Sequence, residues 1–260
     1  MISNRTYGID PDVIAYNARI VTAGNQSLSM QSIKDLNQFV ISLKKMNLWA
    51  SMVCWPLRSI YNAGTGITAY SLGGLGVYNG TLTGGPLWGI NGIETTSTSY
   101  ISTNDLFRST SILISVYRKT TTSANGAICA AYVSGPERGY ELRHDGSNNP
   151  QARFYSTAGV NNARTSSVNC NDGRFHFLAG ITDDSSAMVF VDGVAGSFSS
   201  ITGPRSVSTN NFTIGRRAAS NAELVPIESS FVCIFTSYSN SIFSIYSLCK
   251  STLGQGLNLP

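Results

Sequence analysis

Apolar and polar positions recur with two different periods along this chain. Before about residue 50 the period is helical. Asp10-Pro11 opens the first element, since Asp accepts bonds from the free backbone N–H groups of a first turn and Pro fits the first helical position. Val13, Asn17, Ile20 and Val21 then follow helical spacing, and Gly24 supplies a stop. A second helix begins near Ser29 and sets Ile33, Leu36, Val40 and Leu43 on one stripe, with Asn47 able to end it. Two amphipathic helices joined by a short polar turn form a hairpin, and each apolar stripe needs a partner.

From about Tyr61 the pattern becomes strand-like, with short apolar runs separated by Gly, Asn, Asp or Ser clusters. The runs are 111–118, 126–133, 140–144, 152–155, 175–182, 187–191, 212–215 and 230–237. In the first of these, Ile112, Ile114 and Val116 alternate with Leu113, Ser115 and Tyr117, which predicts a strand covered on both faces, inside a sheet. Asp172-Gly173 and Asp192-Gly193 are turn signals that tolerate positive φ. No helical pattern separates the strands until 239–253, where Ile242, Ile245, Leu248 and Cys249 share a face. Strands without crossover helices pair antiparallel. The prediction is a mainly β protein: an antiparallel β-sandwich over 58–260, preceded by an α-helical hairpin over 1–57.

Composition agrees with that reading. Only 12% of residues are charged, against roughly 25% in ordinary soluble domains. The formal charge of +4 is scattered, with Lys44-Lys45, Arg118-Lys119 and Arg216-Arg217 the only adjacent basic pairs, so no stripe can track a phosphate backbone and no nucleic-acid partner is expected. The five cysteines, Cys54, Cys129, Cys170, Cys233 and Cys249, form no C-x-x-C pair and sit mostly in apolar runs, as buried free thiols do in a reducing cytosol. Met1-Ile2-Ser3-Asn4-Arg5 lacks a signal-peptide core, and no stretch approaches the ~18 apolar residues of a membrane span. Neither classical export nor a membrane partner is expected.

The run 175–182 followed by Met188-Val189-Phe190-Val191-Asp192-Gly193 resembles the central hairpin of concanavalin A-like, laminin G-like sandwiches. Asn211-Phe212-Thr213-Ile214-Gly215 is similar to that family's next strand, and 231–253 to its closing strand and short helix. The N-terminal half, with Asp10-Pro11-Asp12-Val13, Leu43-Lys44, Leu48-Trp49 and Pro56-Leu57, resembles a module of tailed-bacteriophage structural proteins. Trp88 to Thr95 and Ser97 to Ser102 fit the place where those relatives pass from a Gly-rich stretch into the first strands; Val53-Cys54-Trp55 departs from their pattern. The resemblance implies a jelly-roll (concanavalin A-like) sandwich and a virion structural component of head, tail or fibre. It would be made in the bacterial cytoplasm and partnered by capsid or tail proteins.

Candidate chemistry is sparse. Glycosidases of such folds need two carboxylates at a fixed separation, commonly as Glu-x-Asp-x-Glu on one strand. Glu94, Glu137, Glu141, Glu223 and Glu228 include no such arrangement, and Glu137 and Glu141 are expected to be solvated or paired with Arg138 and Arg143. His144 and His176 have no Gly-x-Ser-x-Gly elbow to serve, so no catalytic residue is assigned and no enzyme is expected. The runs Gly73-Gly74-Leu75-Gly76 and Gly84-Gly85 lack a following Lys-Ser or Lys-Thr and read as loops. Calcium needs several oxygen ligands; Asp105 and Asp183-Asp184 could contribute, but no EF-hand loop appears, so no cofactor or metal site is assigned.

Two roles remain. In the first, the helical hairpin docks on other virion proteins or on further copies in a symmetric homo-oligomer, with a trimer the expectation for a virion surface position, through Val13, Ile20, Ile33, Leu36, Val40, Leu43 and Trp49. In the second, an adhesin binds surface glycans through an aromatic-lined loop site drawn from Trp88, Tyr132, Tyr140, Tyr155, Asn161 and Asn162.

Overall fold

Asp10 caps the first helix as its place before Pro11 requires, accepting the Asp12 amide at 3.0 Å in the computed structural model. That structure describes residues 8–105, 107, 110–120, 126–157, 161–183, 185–217, 225–237 and 241–260. The helix, α1 (Pro11–Thr22), is followed by α2 (Met30–Lys45), capped by Ser29 on the Ser32 amide at 3.1 Å. Gly24 and Asn47, both at positive φ, turn the chain out of the two helices. Lys44, in the last turn of α2, reaches Asp10 at 2.8 Å and Asp12 at 2.6 Å, so one ammonium ties the start of α1 to the end of α2.

The strands follow. They are β1 (Met52–Pro56), β2 (Thr68–Ala69), β3 (Gly80–Thr83), β4 (Leu87–Trp88), β5 (Ile93–Glu94), β6 (Tyr100–Thr103), β7 (Ile112–Lys119), β8 (Gly126–Val133) and β9 (Arg138–His144). Then come β10 (Pro150–Tyr155), β11 (Asn161–Thr165), β12 (His176–Thr182), β13 (Ser186–Val191), β14 (Val194–Ala195), β15 (Ser199–Ser200), β16 (Thr213–Ile214) and β17 (Ile227–Phe235). A third helix, α3 (Ile242–Ser251), lies inside the predicted 239–253. The first sheet runs β14-β13-β12-β7-β17-β5-β4, with β1 also on β17 and β15 on β13; the second runs β11-β10-β9-β8-β16-β6-β3-β2. Named strand pairs throughout are antiparallel. β7 lies between β12 and β17, buried along both faces but for a half-exposed Arg118, as its double alternation predicts.

Three layers result. Val53, Trp55, Leu113, Ile128, Leu142, Phe154, Leu178, Val189, Phe212 and Ile234 fill the space between the sheets. The opposite face of the first sheet, from Ile114, Val116, Phe177, Phe190, Phe231, Cys233 and Phe235, packs under all three helices. The stripe expected to dock elsewhere is therefore already covered. Val13, Ile20, Leu36, Val40 and Leu43 are fully buried, Trp49 is buried, and Ile33 packs at the margin of the same cluster. Their partner is this chain's own sheet, because that face would otherwise leave a row of aromatic and branched side chains in water.

Val53-Cys54-Trp55, where the phage pattern breaks, is the middle of β1, which pairs with β17 from Met52↔Phe235 to Pro56↔Phe231. The glycine run packs against this strand. A Cβ at Gly73 would lie 2.2 Å from the Met52 carbonyl oxygen, and one at Gly74 2.6 Å from that of Trp49, so close backbone approach explains both glycines.

Candidate functional site

The six expected glycan contacts do not converge. Tyr140 lies between the sheets, its hydroxyl donating to the Phe107 carbonyl at 3.0 Å. Trp88 is half-buried at the β4 edge and donates to the Gly66 carbonyl at 3.1 Å. Tyr132 and Tyr155 are buried on the outer face of the second sheet. Asn161 and Asn162 belong to β11, opposite Tyr155 and Phe154, and their side chains lie outside the described residues. Tertiary packing uses the three tyrosines for structure: each combines a large apolar body with a hydroxyl that finds an internal partner.

Around Tyr132 and Tyr155 runs a buried ionic network. Arg217 grips both oxygens of Glu141 at 2.6 and 2.8 Å, donates to the Tyr155 hydroxyl at 3.0 Å, and stacks 3.8 Å above the Tyr132 ring. Arg143 and Arg153 reach the same carboxylate at 3.3 and 3.6 Å. Burial alone would raise the Glu141 pKa; the three guanidiniums, Arg217 foremost, override it and hold the carboxyl below its usual range. The expected pairing with Arg143 is present, but Glu141 is not solvated: it is the buried centre of the network. Glu137 instead accepts the Tyr132 hydroxyl at 2.7 Å. Glu223 and Asp184 lie outside the described residues, Asp183 closes its own turn on Ser185 and Ser186, and Asp105 accepts the Phe107 amide.

Cys170, His176 and Asp192 draw together at the end of the space between the sheets, their nearest ligand atoms within 4.8 Å of one another. His176 points away from Phe177, as strand alternation predicts. Its Nδ1 meets Asp192 Oδ2 at 2.6 Å and its Nε2 meets Asp172 Oδ1 at 2.9 Å. Burial alone would favour the neutral ring, but Asp192, with Cys170 and Asp172, pushes the pKa up to about 11. Both nitrogens thus hold protons on carboxylates. Burial pushes the Cys170 thiol up as well. The cluster is an ionic clamp joining the Asp172-Gly173 turn to the Asp192-Gly193 turn.

Beside that clamp opens a cleft of about 420 Å³, lined by Asn91, Arg118, Gly173, Arg174, Phe175 and the segment Gly256–Asn258. Four distant parts of the chain build it. Arg118, near the end of β7, faces Glu228 of β17 in register and bonds it at 2.5 Å, with its guanidinium 5.3 Å from the Phe175 ring. The Arg174 side chain is 78% exposed, 3.9 Å from Asp172. Gly173, Gly256 and Asn258 all have positive φ, which turns peptide groups in the two facing segments out of the extended form.

Arg58 holds two walls in place. Only 5% exposed, it donates from Nε to the Ile90 carbonyl at 3.0 Å and from Nη1 to the Leu253 and Gln255 carbonyls at 2.9 and 2.8 Å. It therefore couples the Asn91 turn to the C-terminal segment. Sequence reasoning marked the Asp172-Gly173 turn and the 88–95 segment but not their meeting, and it missed Arg58, Arg118, Arg174 and Asn258. The cleft's chemistry is that of a polar binder: guanidinium and amide donors, amide and peptide acceptors, and one aromatic ring.

A family model described as the concanavalin A-like lectin/glucanases superfamily matches residues 93–225. No curated protein matches the chain. Among solved structures, the binding domain of botulinum neurotoxin serotype D aligns over 77% of this chain and 52% of its own, with TM-score 0.52 and 10% identity. The CBM40 of the Ruminococcus gnavus IT-sialidase, bound to α2,3-sialyllactose, aligns over 54% of this chain and 82% of its own, with TM-score 0.45 and 10% identity. At such identities the likeness to the neurotoxin domain is one of fold.

Proposed function

This chain belongs to the concanavalin A-like lectin/glucanases superfamily, and on that premise we propose that it is a non-catalytic glycan-binding module whose site is the cleft between the Asn91 turn, the Gly173–Phe175 turn and the C-terminal segment. The observation that carries this reading is the cleft itself. Its volume falls within the roughly 300–1,000 Å³ of small-ligand sites. Its lining offers paired donors and acceptors of the kind that sugar hydroxyls require, from Arg118, Arg174, Asn91 and Asn258. Glu228, which faces Glu94 across β5 and β17, is ion-paired with Arg118, a pairing that fixes the guanidinium in the cleft wall and supports a binding role for it.

A glycan array, run with calcium and again with chelator, tests the proposal. Binding is expected in both conditions, without turnover. Arg174→Ala and the pair Asn91→Ala with Asn258→Gly, glycine being at ease at the positive φ of position 258, should each weaken it about tenfold or more, the loss of one or two polar contacts, with little change in melting temperature. Silence across the array, or binding indifferent to these substitutions, would sink it.

A second reading, a component of a tailed-phage particle, draws on the N-terminal resemblance and on one structural observation. With the inner stripes covered, the helical hairpin still exposes Ile14 (57%), Val21 (44%) and Met30 (61%), a surface free to face capsid or tail proteins or further copies of this chain. Light scattering of the purified chain and cryo-electron microscopy of particles test it. A monomer absent from every particle map would rule it out.

A further inference from the structure

We infer that Cys54 and Cys233 are a disulfide site, free as thiols in the structure and placed to join β1 to β17 under oxidising conditions. The two residues are direct partners in the antiparallel pairing of β1 with β17. The Cys54 amide and carbonyl both turn the other way, bonding the Leu72 carbonyl and amide at 2.7 Å each. Cys54 and Cys233 therefore occupy a non-hydrogen-bonded pair, the closer of the two antiparallel arrangements, with Cα atoms typically ~4.5 Å apart. That separation falls inside the range a disulfide spans, and the side chains of such a pair lie on the same face of the sheet. Here both side chains lie on the helix-covered face of the first sheet, in one buried cluster.

The surroundings say when the bond forms. Both thiols are fully buried under the helical layer, with Cys249 of α3 in the same cluster. Burial raises all three thiols above their ordinary range, so in the closed fold the reactive thiolate is suppressed. Oxidation belongs to folding, when β1 docks on β17 before the helices close over them. With oxidised glutathione as the oxidant, the thiolate of one cysteine attacks a glutathione sulfur and releases one glutathione thiolate. The second cysteine, deprotonated in turn, attacks the mixed disulfide and releases another. The two protein thiols lose two electrons and two protons, and one glutathione disulfide becomes two glutathiones.

The test is refolding of the full chain from denaturant in a glutathione buffer, once poised reducing and once oxidising, then acid quench, alkylation under denaturing conditions and peptide mapping. The expected product of the oxidising arm carries one Cys54–Cys233 link, a mass lower by two hydrogens, and three alkylated cysteines. Its unfolded population under fixed denaturant should fall by about tenfold or more, the usual effect of closing a long loop, and reductant should reverse this. Cys249→Ala should keep the link, and Cys54→Ala should abolish it without creating another. Five alkylated cysteines in the oxidising arm, or a link to Cys249 in place of this pair, would overturn the inference. If the chain does not refold from denaturant, the same map is made on protein synthesised in an oxidising bacterial compartment, where the Cys54–Cys233 link again supports the inference and its absence overturns it.

Discussion

Burial favours the neutral ring in both histidines, but their partners differ and the two shift in opposite directions. His144 is enclosed between Tyr117, whose hydroxyl lies 2.7 Å from Nε2, and the Asn148 carbonyl, 2.8 Å from Nδ1. A carbonyl can only accept, so Nδ1 carries the proton and Nε2 accepts from Tyr117; burial lowers the pKa of this neutral ring to about 4. His176, clamped by carboxylates, titrates at about 11. Relative to an unfolded histidine near 6.5, His144 leaves the folded state short of a proton between pH 4 and 6.5, where stability must fall as pH falls. His176 leaves it with an extra proton from 6.5 to about 11, where stability must fall as pH rises. We predict a dome of stability against pH with its top near neutrality and limbs of up to ~1.4 kcal/mol per pH unit for each proton. Urea melts across pH measure it. His176→Gln should flatten the alkaline limb and His144→Gln the acid one; limbs unmoved by both would refute the assignment.

At the scale of elements, the cleft depends on a residue outside its lining. Replacing Arg58 with Met keeps the bulk of the stem and removes three hydrogen bonds to carbonyls of two segments. Leaving the buried Leu253 carbonyl unpaired and losing the two part-buried bonds to Ile90 and Gln255 should cost about 1–3 kcal/mol and loosen the Asn91 turn from the C-terminal segment. Glycan affinity should fall together with hydrogen-exchange protection around Leu253, whereas Arg174→Ala should lower affinity alone. The same contrast separates what local sequence encodes from what it does not. Helix bounds were legible because Asp10, Ser29, Gly24 and Asn47 act locally, and the long strands because alternation and Asp-Gly turns are local too. β1 was not: Val53, Cys54 and Trp55 are all buried, so no alternation shows, and the run follows a helix. The two-residue strands β2, β4, β5, β14 and β15 are too short to carry a period, whereas β16, equally short, falls inside the 212–215 run that the turn residues around it mark. The cleft was illegible for a different reason, since Asn91, Arg118, Arg174 and Asn258 come together only through sheet order. The tyrosines, conversely, were visible, but nothing local distinguishes a tyrosine facing a ligand from one facing Glu141.

Taken whole, the molecule does not divide where its periodicity changes. The helical hairpin and the strands share one apolar cluster, and β1, within 1–57, completes the first sheet on β17. A fragment spanning 58–260 keeps α3, whose Tyr246 and Phe243 cover Phe177 and Phe190, but strips α1 and α2 from the rest of that face and loses the strand beside β17. We expect it to be insoluble or to bind hydrophobic dyes without a cooperative melt; a sharply melting, soluble fragment would show the hairpin to be dispensable. The pairing of β1 with β17 also bears on synthesis. A ribosome makes the chain from its N-terminus, so α1, α2 and β1 emerge more than 170 residues before the strand that β1 needs. Throughout that interval the helices carry uncovered apolar stripes, and no early stopping point leaves a closed sheet. Final assembly waits until the last strand is free of the exit tunnel, which makes the nascent chain a client for whatever chaperone shields such surfaces during translation.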